Sequence, residues 1–303
     1  MSAKLLDGRV AVVTGSGRGL GRAYVQALAA VGAAVVVNDV DGAAAAETVE
    51  LAIAAGGRAV AVVAPVGPSA TAELLVKTAI DNFGRLDVMV TNAGVLRDRV
   101  LWKTEDDDFD LVIETHLRGT FTCARAAAIA MKDQGEGGRI IVIGSPAGQF
   151  GSFGQTAYAA AKAGIVAFAR TWSLELARSE ITVNAVIPTA MTAMTGTIPI
   201  YKDVYERFLA GEALPRQVRQ AHALGGPEDV APLVVWLASE LAADVTGQAI
   251  GIGGDKLTLY SHPAELAAEY AEGGWSAEGI EKAWRGGLSA NAQPSGATFP
   301  PLD

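Results

Sequence analysis

The chain has 303 residues, of which 50% are hydrophobic and 19% are charged, and its formal net charge at pH 7 is −9. This length suits one large domain or two small ones, and the apolar content excludes disorder as the main state. A general nucleic-acid binder needs a basic surface, so the negative charge argues against that class. The single cysteine, Cys123, excludes an intrachain disulfide and fits a reducing compartment.

No run of the sequence approaches the ~20 apolar residues that cross a bilayer. The first residues, MSAKLLDGRV, lack the apolar core of a secretory signal. We therefore expect a soluble cytoplasmic protein without membrane insertion.

Short runs rich in Val and Ile alternate with longer runs rich in Ala and Leu. The predicted strands span 9–13, 34–37, 59–63, 86–90, 139–143, 182–187 and 248–252. The predicted helices span 21–31, 47–55, 72–83, 109–131, 157–177 and 230–237. This alternation indicates βαβ units and a parallel sheet, and continuous apolar strands indicate that helices cover both sheet faces. From this pattern alone, a doubly wound sheet and an eight-stranded barrel both stay open.

The composition changes after residue 254. Residues 255–303 contain two short helical patterns and end in a Pro- and Gly-rich run. About fifty residues cannot easily bury a separate core, so we interpret them as a C-terminal extension of a domain spanning 1–254. Ser261 followed by Pro263 is typical of a helix start. The extension is either a loosely packed tail, or a flap over a ligand or a subunit contact.

A glycine-rich turn lies between the first strand and the first helix. Gly15, Gly19 and Gly21 have the spacing G-x-x-x-G-x-G. Glycines let the backbone approach a pyrophosphate, and the helix N-terminus that follows offers free N–H groups and a positive dipole end. No Gly-Lys-Ser/Thr follows, which excludes a P-loop. A plain tight turn is the alternative, but the strand–loop–helix context favours a dinucleotide site.

Asp39 ends the second strand, about 20 residues after the loop, where an acidic side chain can bind an adenosine ribose. Its charge would repel a 2′-phosphate, which favours NAD over NADP. Arg18 in the loop is a counterargument, because an arginine there can meet that phosphate. We give Asp39 more weight than Arg18. Burying a 2′-phosphate beside the like charge of Asp39 would cost more free energy than an optional contact with Arg18 would return.

Tyr158 and Lys162 are four residues apart in a helical pattern, so both lie on one helix face. Ser145 directly follows the predicted strand 139–143, at the edge where open α/β sheets bind ligands. Lys162 can stabilise a tyrosinate, which lets Tyr158 act as an acid or base near neutral pH. The hydroxyl of Ser145 can hold the reacting oxygen. A surface Tyr/Lys pair is the alternative for the pair alone.

These motifs together resemble those of the short-chain dehydrogenase/reductase family over residues 6–253. The segment 14–21 matches its T-G-x-x-x-G-x-G fingerprint, residues 92–94 lie in its N-N-A-G motif, and Ser145, Tyr158 and Lys162 fit its Ser…Y-x-x-x-K pattern. The resemblance implies a Rossmann-type doubly wound parallel sheet, a nicotinamide cofactor, and hydride transfer at a hydroxyl or ketone.

The resemblance also implies residue roles. Tyr158 is then the acid/base, Lys162 lowers its pKa and binds the nicotinamide ribose, and Ser145 orients the substrate oxygen. The residues implied at the cofactor are Gly15, Arg18, Gly19, Leu20, Gly21, Asp39, Val66, Asn92, Ala93, Gly94, Tyr158, Lys162 and Thr192.

A narrower resemblance is carried by NAGVLRDR, HLRGTF and GSFGQTAYAAAKAGIVAFA. These segments are similar to the (3R)-hydroxyacyl-CoA dehydrogenase part of peroxisomal multifunctional enzymes and to related bacterial 17β-hydroxysteroid dehydrogenases. This similarity implies NAD and a bulky apolar substrate such as an acyl thioester or a steroid.

Three positions depart from the family pattern. His116 stands where most members have an Asn that supports a water relay, so it either replaces that relay or is a packed helix histidine. Thr91 replaces the first Asn of N-N-A-G, and we expect it to keep a hydrogen bond. Pro65 replaces an Asp that contacts adenine, which leaves Val66 to flank that ring.

The substrate side is less specific. Residues 194–225 form a long apolar insert that is either a lid for a lipid-like substrate or a segment packed on the main core. Arg97, Arg99 and Lys103 either meet CoA phosphates or form a solvated cluster.

We find no metal-ligand spacing and no nucleophile elbow in the sequence. The leading hypothesis is therefore an NAD-dependent dehydrogenase of secondary alcohols. An NADPH-dependent 3-oxoacyl-carrier-protein reductase and a non-catalytic dinucleotide-binding sensor are the alternatives. By resemblance, a homodimer or homotetramer is expected through the helices near 109–131 and 157–177.

Overall fold

The computed structural model describes residues 5–193 and 195–297. Three sequence features fall wholly or partly on residues outside these ranges. They are the chain start at 1–4, the first residue of the insert at 194, and the Pro-rich end at 298–303.

Eight strands form one sheet in the order β3-β2-β1-β4-β5-β6-β7-β8. The strands are β1 (Val10–Thr14), β2 (Ala34–Asp39), β3 (Arg58–Val63), β4 (Val88–Thr91), β5 (Gly138–Ile143), β6 (Ile181–Pro188), β7 (Ala249–Gly253) and β8 (Lys256–Tyr260). All pairs are parallel except β7 with β8. The strand order reverses on either side of β1, which is the doubly wound Rossmann-type topology and excludes a closed barrel. The predicted fold class is confirmed.

Helices cover both faces of this sheet. They are α1 (Gly19–Ala30), α2 (Gly42–Ala54), α3 (Ser69–Phe83), α4 (Asp106–Val112), α5 (Gly119–Gln134), α6 (Pro146–Phe150), α7 (Thr156–Glu175), α8 (Lys202–Leu209), α9 (Arg216–Gln220), α10 (Ala231–Ala238) and α11 (Ala277–Gly286). Successive side chains of a strand point to opposite faces, so Val10 and Val12 enter one core while Ala11 and Val13 enter the other. This two-sided burial explains why the strands read as continuous apolar runs.

The predicted helix at 109–131 is interrupted in the structure. A π-helical segment, Ile113–Arg118, separates α4 from α5. The run remains helical from α4 to α5, and no residue type marks a π-helical turn, so the pattern predicted one continuous helix. His116 lies in this segment and is buried.

The chain after residue 254 differs from the prediction in two ways. Strand β8 adds an antiparallel edge to the sheet, so residues assigned to the extension belong to the main sheet. The helix expected from Ser261 and Pro263 is wrong, because the segment directly after β8 is not helical. Helix α11 forms further on instead, where the Ser276 side chain accepts a hydrogen bond from the N–H of Gly279.

The tail, residues 261–297, returns to the main domain near helix α6. The N–H of Gly296 donates to the carbonyl oxygen of Phe150 at 2.7 Å. The ring of Tyr260, at the end of β8, packs on the Phe150 ring with 5.9 Å between centroids. The tail therefore touches the helix that begins directly after Ser145.

The described part of the predicted insert contains α8 and α9. They pack around a small apolar cluster of their own, formed by Met191, Tyr201, Val218 and Leu224. This cluster is separate from the two main cores, which favours the lid interpretation over packing on the main core. Among the described residues, no helix is both long and apolar enough to span a bilayer.

Candidate active site

The predicted site residues follow the carboxyl ends of adjacent strands. The glycine loop follows β1, Asn92 to Gly94 follow β4, and Ser145 follows β5. Because parallel strands end at one edge of the sheet, these three segments lie side by side.

The glycine loop is held by the segment after β4. Gly15 has a φ of 57°, and a Cβ atom on it would lie 2.5 Å from the Cα of Ala93. The Asn92 side chain donates from Nδ2 to the carbonyl oxygens of Thr14 and Gly15, at 3.0 and 2.9 Å. Asn92 and Ala93 therefore brace the loop, and their contact with a cofactor stays a prediction.

The N-terminus of α1 fits a phosphate. In the part of the chain that the structure describes, no side chain caps this helix and no acidic residue occupies its first turn. The first-turn N–H groups are therefore available to an anion, and a dinucleotide diphosphate suits them. The Leu20 side chain packs on the apolar core, so only its backbone faces such a ligand.

Asp39 and Arg18 lie beside this loop. One Asp39 oxygen, Oδ2, accepts a hydrogen bond from the N–H of Gly17 at 2.8 Å. The Arg18 guanidinium forms an ion pair with Asp41, whose carboxylate also caps α2. The hydrogen bonds from the α2 backbone and the charge of Arg18 hold the Asp41 pKa below its usual value. Arg18 is thus engaged by a carboxylate that the sequence analysis missed.

Thr192 and Val66 are two further residues that the sequence predicts at the cofactor. The Thr192 methyl group lies 3.9 Å from where a Cβ atom on Gly19 would stand, which places Thr192 across from the glycine loop. Val66 follows β3 and packs at Gly119, where an added Cβ atom would lie 2.8 Å from its Cγ2.

Ser145, Tyr158 and Lys162 come together as predicted. Ser145 caps α6, accepting from the N–H of Ala147 at 3.2 Å, and its hydroxyl is close enough to the Tyr158 phenol to act on the pKa of that group. Lys162 is 4% exposed, and its Nζ donates to the carbonyl oxygen of Ile143 at 2.6 Å. The same Nζ lies 5.6 Å from the centroid of the Tyr158 ring.

Burial dominates the ionisation of this pair. Desolvation lowers the pKa of Lys162 to about 7. Desolvation also raises the pKa of Tyr158, and the hydrogen bond from Ser145 opposes part of that rise. Burial therefore opposes the phenolate in this arrangement, and the role of Lys162 in lowering the tyrosine pKa stays a prediction.

His116 packs against Tyr158. Its ring meets the Tyr158 ring edge-on, with 5.2 Å between centroids, and its Nε2 lies 2.8 Å from the carbonyl oxygen of Val95. Burial and the nearby Lys162 lower its pKa to about 3, so the imidazole is neutral. Among the described residues, its Nδ1 has no hydrogen-bond partner. A Cβ atom on Gly94 would lie 2.3 Å from its Cε1, so Gly94 makes room for the ring.

Two sequence expectations at the rim of the site have a clear outcome. Thr91 was expected to keep a hydrogen bond, but its buried Oγ1 has no partner in the described ranges. Arg97 and Arg99 both pair with Asp108, with Nε–O distances of 3.2 and 3.0 Å. The two arginines therefore share one carboxylate that sequence reasoning missed. Lys103 is exposed.

Sequence reasoning also missed Asp98 and Gln155. The Gln155 side chain donates from Nε2 to Oδ2 of Asp98 at 3.0 Å, directly before the helix that carries Tyr158. Their separation of 57 residues leaves no local signal. Within 5–193 and 195–297, no group of three or more His, Cys, Asp or Glu side chains is arranged to hold a metal ion.

An open doubly wound sheet, a glycine loop at a free helix N-terminus and a half-buried tyrosine beside a buried lysine define a dinucleotide-dependent α/β oxidoreductase. The family model described as short chain dehydrogenase matches residues 9–200. The chain belongs to this family and acts on CH–OH groups with a nicotinamide dinucleotide cofactor.

Three relatives illustrate its similarities. The hydroxyacyl-CoA dehydrogenase ChsB1 of Mycobacterium tuberculosis is 42% identical over 85% of this chain and 81% of that protein. The peroxisomal multifunctional enzyme type 2 of Mus musculus is 43% identical over 77% of this chain, which spans 30% of that longer protein. A 3-oxoacyl-[acyl-carrier-protein] reductase of Synechocystis is 41% identical over 82% of this chain and 97% of that protein.

Two solved structures share the fold. A short chain dehydrogenase from Mycobacterium avium has a TM-score of 0.83 and 36% identity, and covers 97% of this chain and 99% of its own. A short chain dehydrogenase from Mycobacterium paratuberculosis bound to NAD has a TM-score of 0.73 and 31% identity, covering 82% of this chain and 98% of its own.

Proposed function

We propose that the protein is an NAD-dependent dehydrogenase that interconverts a secondary alcohol and a ketone on a bulky apolar substrate. A 3-hydroxyacyl-CoA or a 17β-hydroxysteroid fits this description. The observation that carries the proposal is the junction of Ser145, Tyr158 and buried Lys162 at the sheet edge beside an uncapped helix N-terminus.

The proton steps are assigned to the chain's own groups. In the oxidation direction, the Tyr158 phenolate accepts the proton of the substrate hydroxyl, while the Ser145 hydroxyl donates to the same substrate oxygen. Bound nicotinamide supplies the hydride acceptor. The Lys162 ammonium, one turn along α7, favours the phenolate during this transfer. In the reverse direction, the Tyr158 phenol returns the proton.

His116 is proposed as the next group of the proton path. Its Nδ1 is buried and unsatisfied within the described residues, so a bound water would complete its hydrogen bonding. Because the ring stays neutral at working pH and its Nε2 is held by Val95, it contributes by holding that water in place at Nδ1, and it is not itself protonated.

The preference for NAD is proposed from the loop contacts. Asp39 places a carboxylate beside the Gly17 N–H, and Asp41 holds Arg18 in an ion pair. A 2′-phosphate would add charge next to Asp39 and would need Arg18 to leave its partner. An unphosphorylated ribose instead offers hydroxyl donors to Asp39.

The similarity to a 3-oxoacyl-carrier-protein reductase supports a second candidate, an NADPH-dependent reductase. An oxidation assay separates the two. The protein is supplied with (3R)-hydroxyacyl-CoAs or 17β-hydroxysteroids and either NAD or NADP, and reduced cofactor is followed by absorbance. We expect a higher kcat/KM with NAD by at least tenfold. A preference for NADP, or turnover only of carrier-protein substrates, contradicts the proposal.

Asp39→Asn sharpens this assay because it removes the charge and keeps the shape. We expect the NAD-to-NADP ratio of kcat/KM to fall about tenfold, as one lost charge contact is worth about 1–2 kcal/mol. Asp81→Asn, an exposed acid in α3, is the matched control and should leave the ratio unchanged.

We propose a homodimer or homotetramer in the cytoplasm. Helices α5 and α7 expose apolar side chains, with Ile129 57% and Leu174 81% exposed, and such surfaces are often subunit contacts. Light scattering that shows a monomer at micromolar concentration contradicts this assembly.

A further inference from the structure

Asp98 lies on the loop after β4, between the two arginines that pair with Asp108. Its carboxylate is not in that network: Oδ2 accepts the side-chain hydrogen bond of Gln155 at 3.0 Å. The backbones of Arg99 and Gln155 also meet in an isolated parallel bridge. The loop after β4 is therefore joined to the segment after α6 by a side-chain contact and a backbone contact.

Gln155 occupies the position directly before α7, and Tyr158 lies in the first turn of that helix. Within the described residues, no side chain caps α7, so the Gln155 amide is directed to Asp98 instead of to the helix. Movement of Gln155 would carry the start of α7, and the phenol with it.

We propose that Asp98 is a positioning residue, which anchors the N-terminal end of α7 through Gln155 and holds a negative charge that opposes formation of the Tyr158 phenolate. This role rests on the proposed function of Tyr158 as the acid/base. It restrains the phenol in its protonated form until the cofactor and substrate supply compensating charge and hydrogen bonds.

Few groups act on the ionisation of the Tyr158 phenol, so their effects can be tested one at a time. Lys162 faces it from the same helix, neutral His116 from the π-helical segment, and the Ser145 hydroxyl from the turn after β5. The charge of Asp98 is a further influence and it raises the pKa of Tyr158. Arg97 and Arg99 form their ion pairs with Asp108 and not with Asp98.

Two charge-changing variants test the proposal with opposite expected signs. Asp98→Asn keeps an oxygen that accepts from Gln155 but removes the charge. Gln155→Glu adds a negative charge beside Asp98 and also removes the amide that donates to that carboxylate. In oxidation assays, we expect the apparent pKa of the kcat profile to fall by about half a pH unit in Asp98→Asn and to rise by a similar amount in Gln155→Glu. At a pH below that pKa, oxidation by Asp98→Asn is then about threefold faster.

Controls separate this charge effect from general damage. Asp107→Asn removes an exposed acid from the first turn of α4 and should leave the pH profile unchanged. Because Asp98 is exposed, salt screens its charge. The shift of the apparent pKa of the kcat profile in Asp98→Asn should therefore be smaller in 1 M salt. If both variants change kcat but leave the pH profile at the wild-type position, Asp98 has only a structural role and the proposal is wrong.

A second readout does not depend on turnover. The near-ultraviolet absorbance of tyrosinate is titrated in the protein and in Tyr158→Phe, and the difference reports Tyr158 alone. Asp98→Asn should displace this titration to lower pH, and an unmoved titration overturns the proposal. If the titration moves but Tyr158→Phe remains fully active, the proposed function fails while the role of Asp98 in the ionisation stands.

Discussion

The carboxyl edge of the sheet and the tail after β8 differ in which kind of side chain they bury. At the sheet edge, polar side chains are enclosed: Lys162 is 4% and His116 is 2% exposed. In the tail, large apolar side chains face outward, and Tyr270 is 91% and Ile280 is 54% exposed.

This difference shows what determines structure in each region. The site depends on contacts between distant strands and loops, and its chemistry comes from desolvation of ionisable groups. Helix α11 of the tail depends on local features, namely its Ser276 cap and the Glu281–Arg285 pair one turn apart. Changes at the sheet edge should therefore affect the whole molecule, whereas changes in the tail should stay local.

The largest effect is expected for Lys162→Met, which removes the ammonium beside Tyr158. The kcat should fall at least 100-fold, because the phenolate loses its compensating charge. Steady-state assays with NAD measure it. Lys132→Met, at an exposed lysine near the end of α5, should keep wild-type kcat. Equal activity in both variants would mean that burial of Lys162 has no catalytic purpose.

The same Lys162→Met substitution should stabilise the protein in a pH-dependent way. The folded pKa of Lys162, about 7, lies below its unfolded value of 10.5. The cost of burying the ammonium is full below pH 7 and disappears as pH rises to the unfolded pKa. The variant should therefore gain about 2–4 kcal/mol in unfolding free energy at pH 6 and much less at pH 10. Urea titrations at both pH values measure the gain, and a pH-independent gain contradicts the assigned cause.

Gly94→Ala should disturb the site through overpacking. The added methyl group would meet the buried His116 ring, so we expect a loss of about 1–3 kcal/mol in unfolding free energy. Gly286→Ala is the comparison in the tail, because nothing lies within 4 Å of a Cβ atom there. Chemical denaturation should show a change below about 0.5 kcal/mol for that control; equal losses would erase the contrast between the regions.

The smallest effects concern two helix caps. The Asp41 carboxylate accepts from the N–H groups of Ala43 and Ala44 at the start of α2, and Ser276 caps α11. Asp41→Ala should lower the global unfolding free energy by about 1 kcal/mol. Ser276→Ala should leave it unchanged and only speed amide exchange in α11. A global loss from Ser276→Ala would show that the tail folds cooperatively with the sheet.

Much of the fold could be predicted because strands buried on both faces keep a continuous apolar pattern. Strand β6 was predicted at 182–187 and spans Ile181–Pro188. Strand β8 was not predicted, because its residues follow a composition change that indicates an appendage and its apolar Leu257 and Leu259 are exposed. Edge strands carry less burial, and their pattern is correspondingly weaker.

The site was predicted where its residues stand in short motifs. Ser145, Tyr158 and Lys162 are joined by spacing, and the structure brings them together. Partners from distant segments could not be predicted. The pairing of Asp108 with Arg97 and Arg99 depends on tertiary approach, as does the contact of Asp98 with Gln155. The capping role of Asp41 could have been predicted from the sequence, because an Asp before a run of alanines is a strong N-cap signal.

The most direct test of the proposed chemistry is the turnover of Tyr158→Phe with NAD and the preferred alcohol, measured beside its NAD dissociation constant. The substitution removes one oxygen atom and preserves the ring that packs against His116. We predict a fall in kcat of about 10³-fold or more, with NAD affinity within threefold of wild type. Turnover at the wild-type rate would contradict the assignment of the phenol as the proton-transferring group.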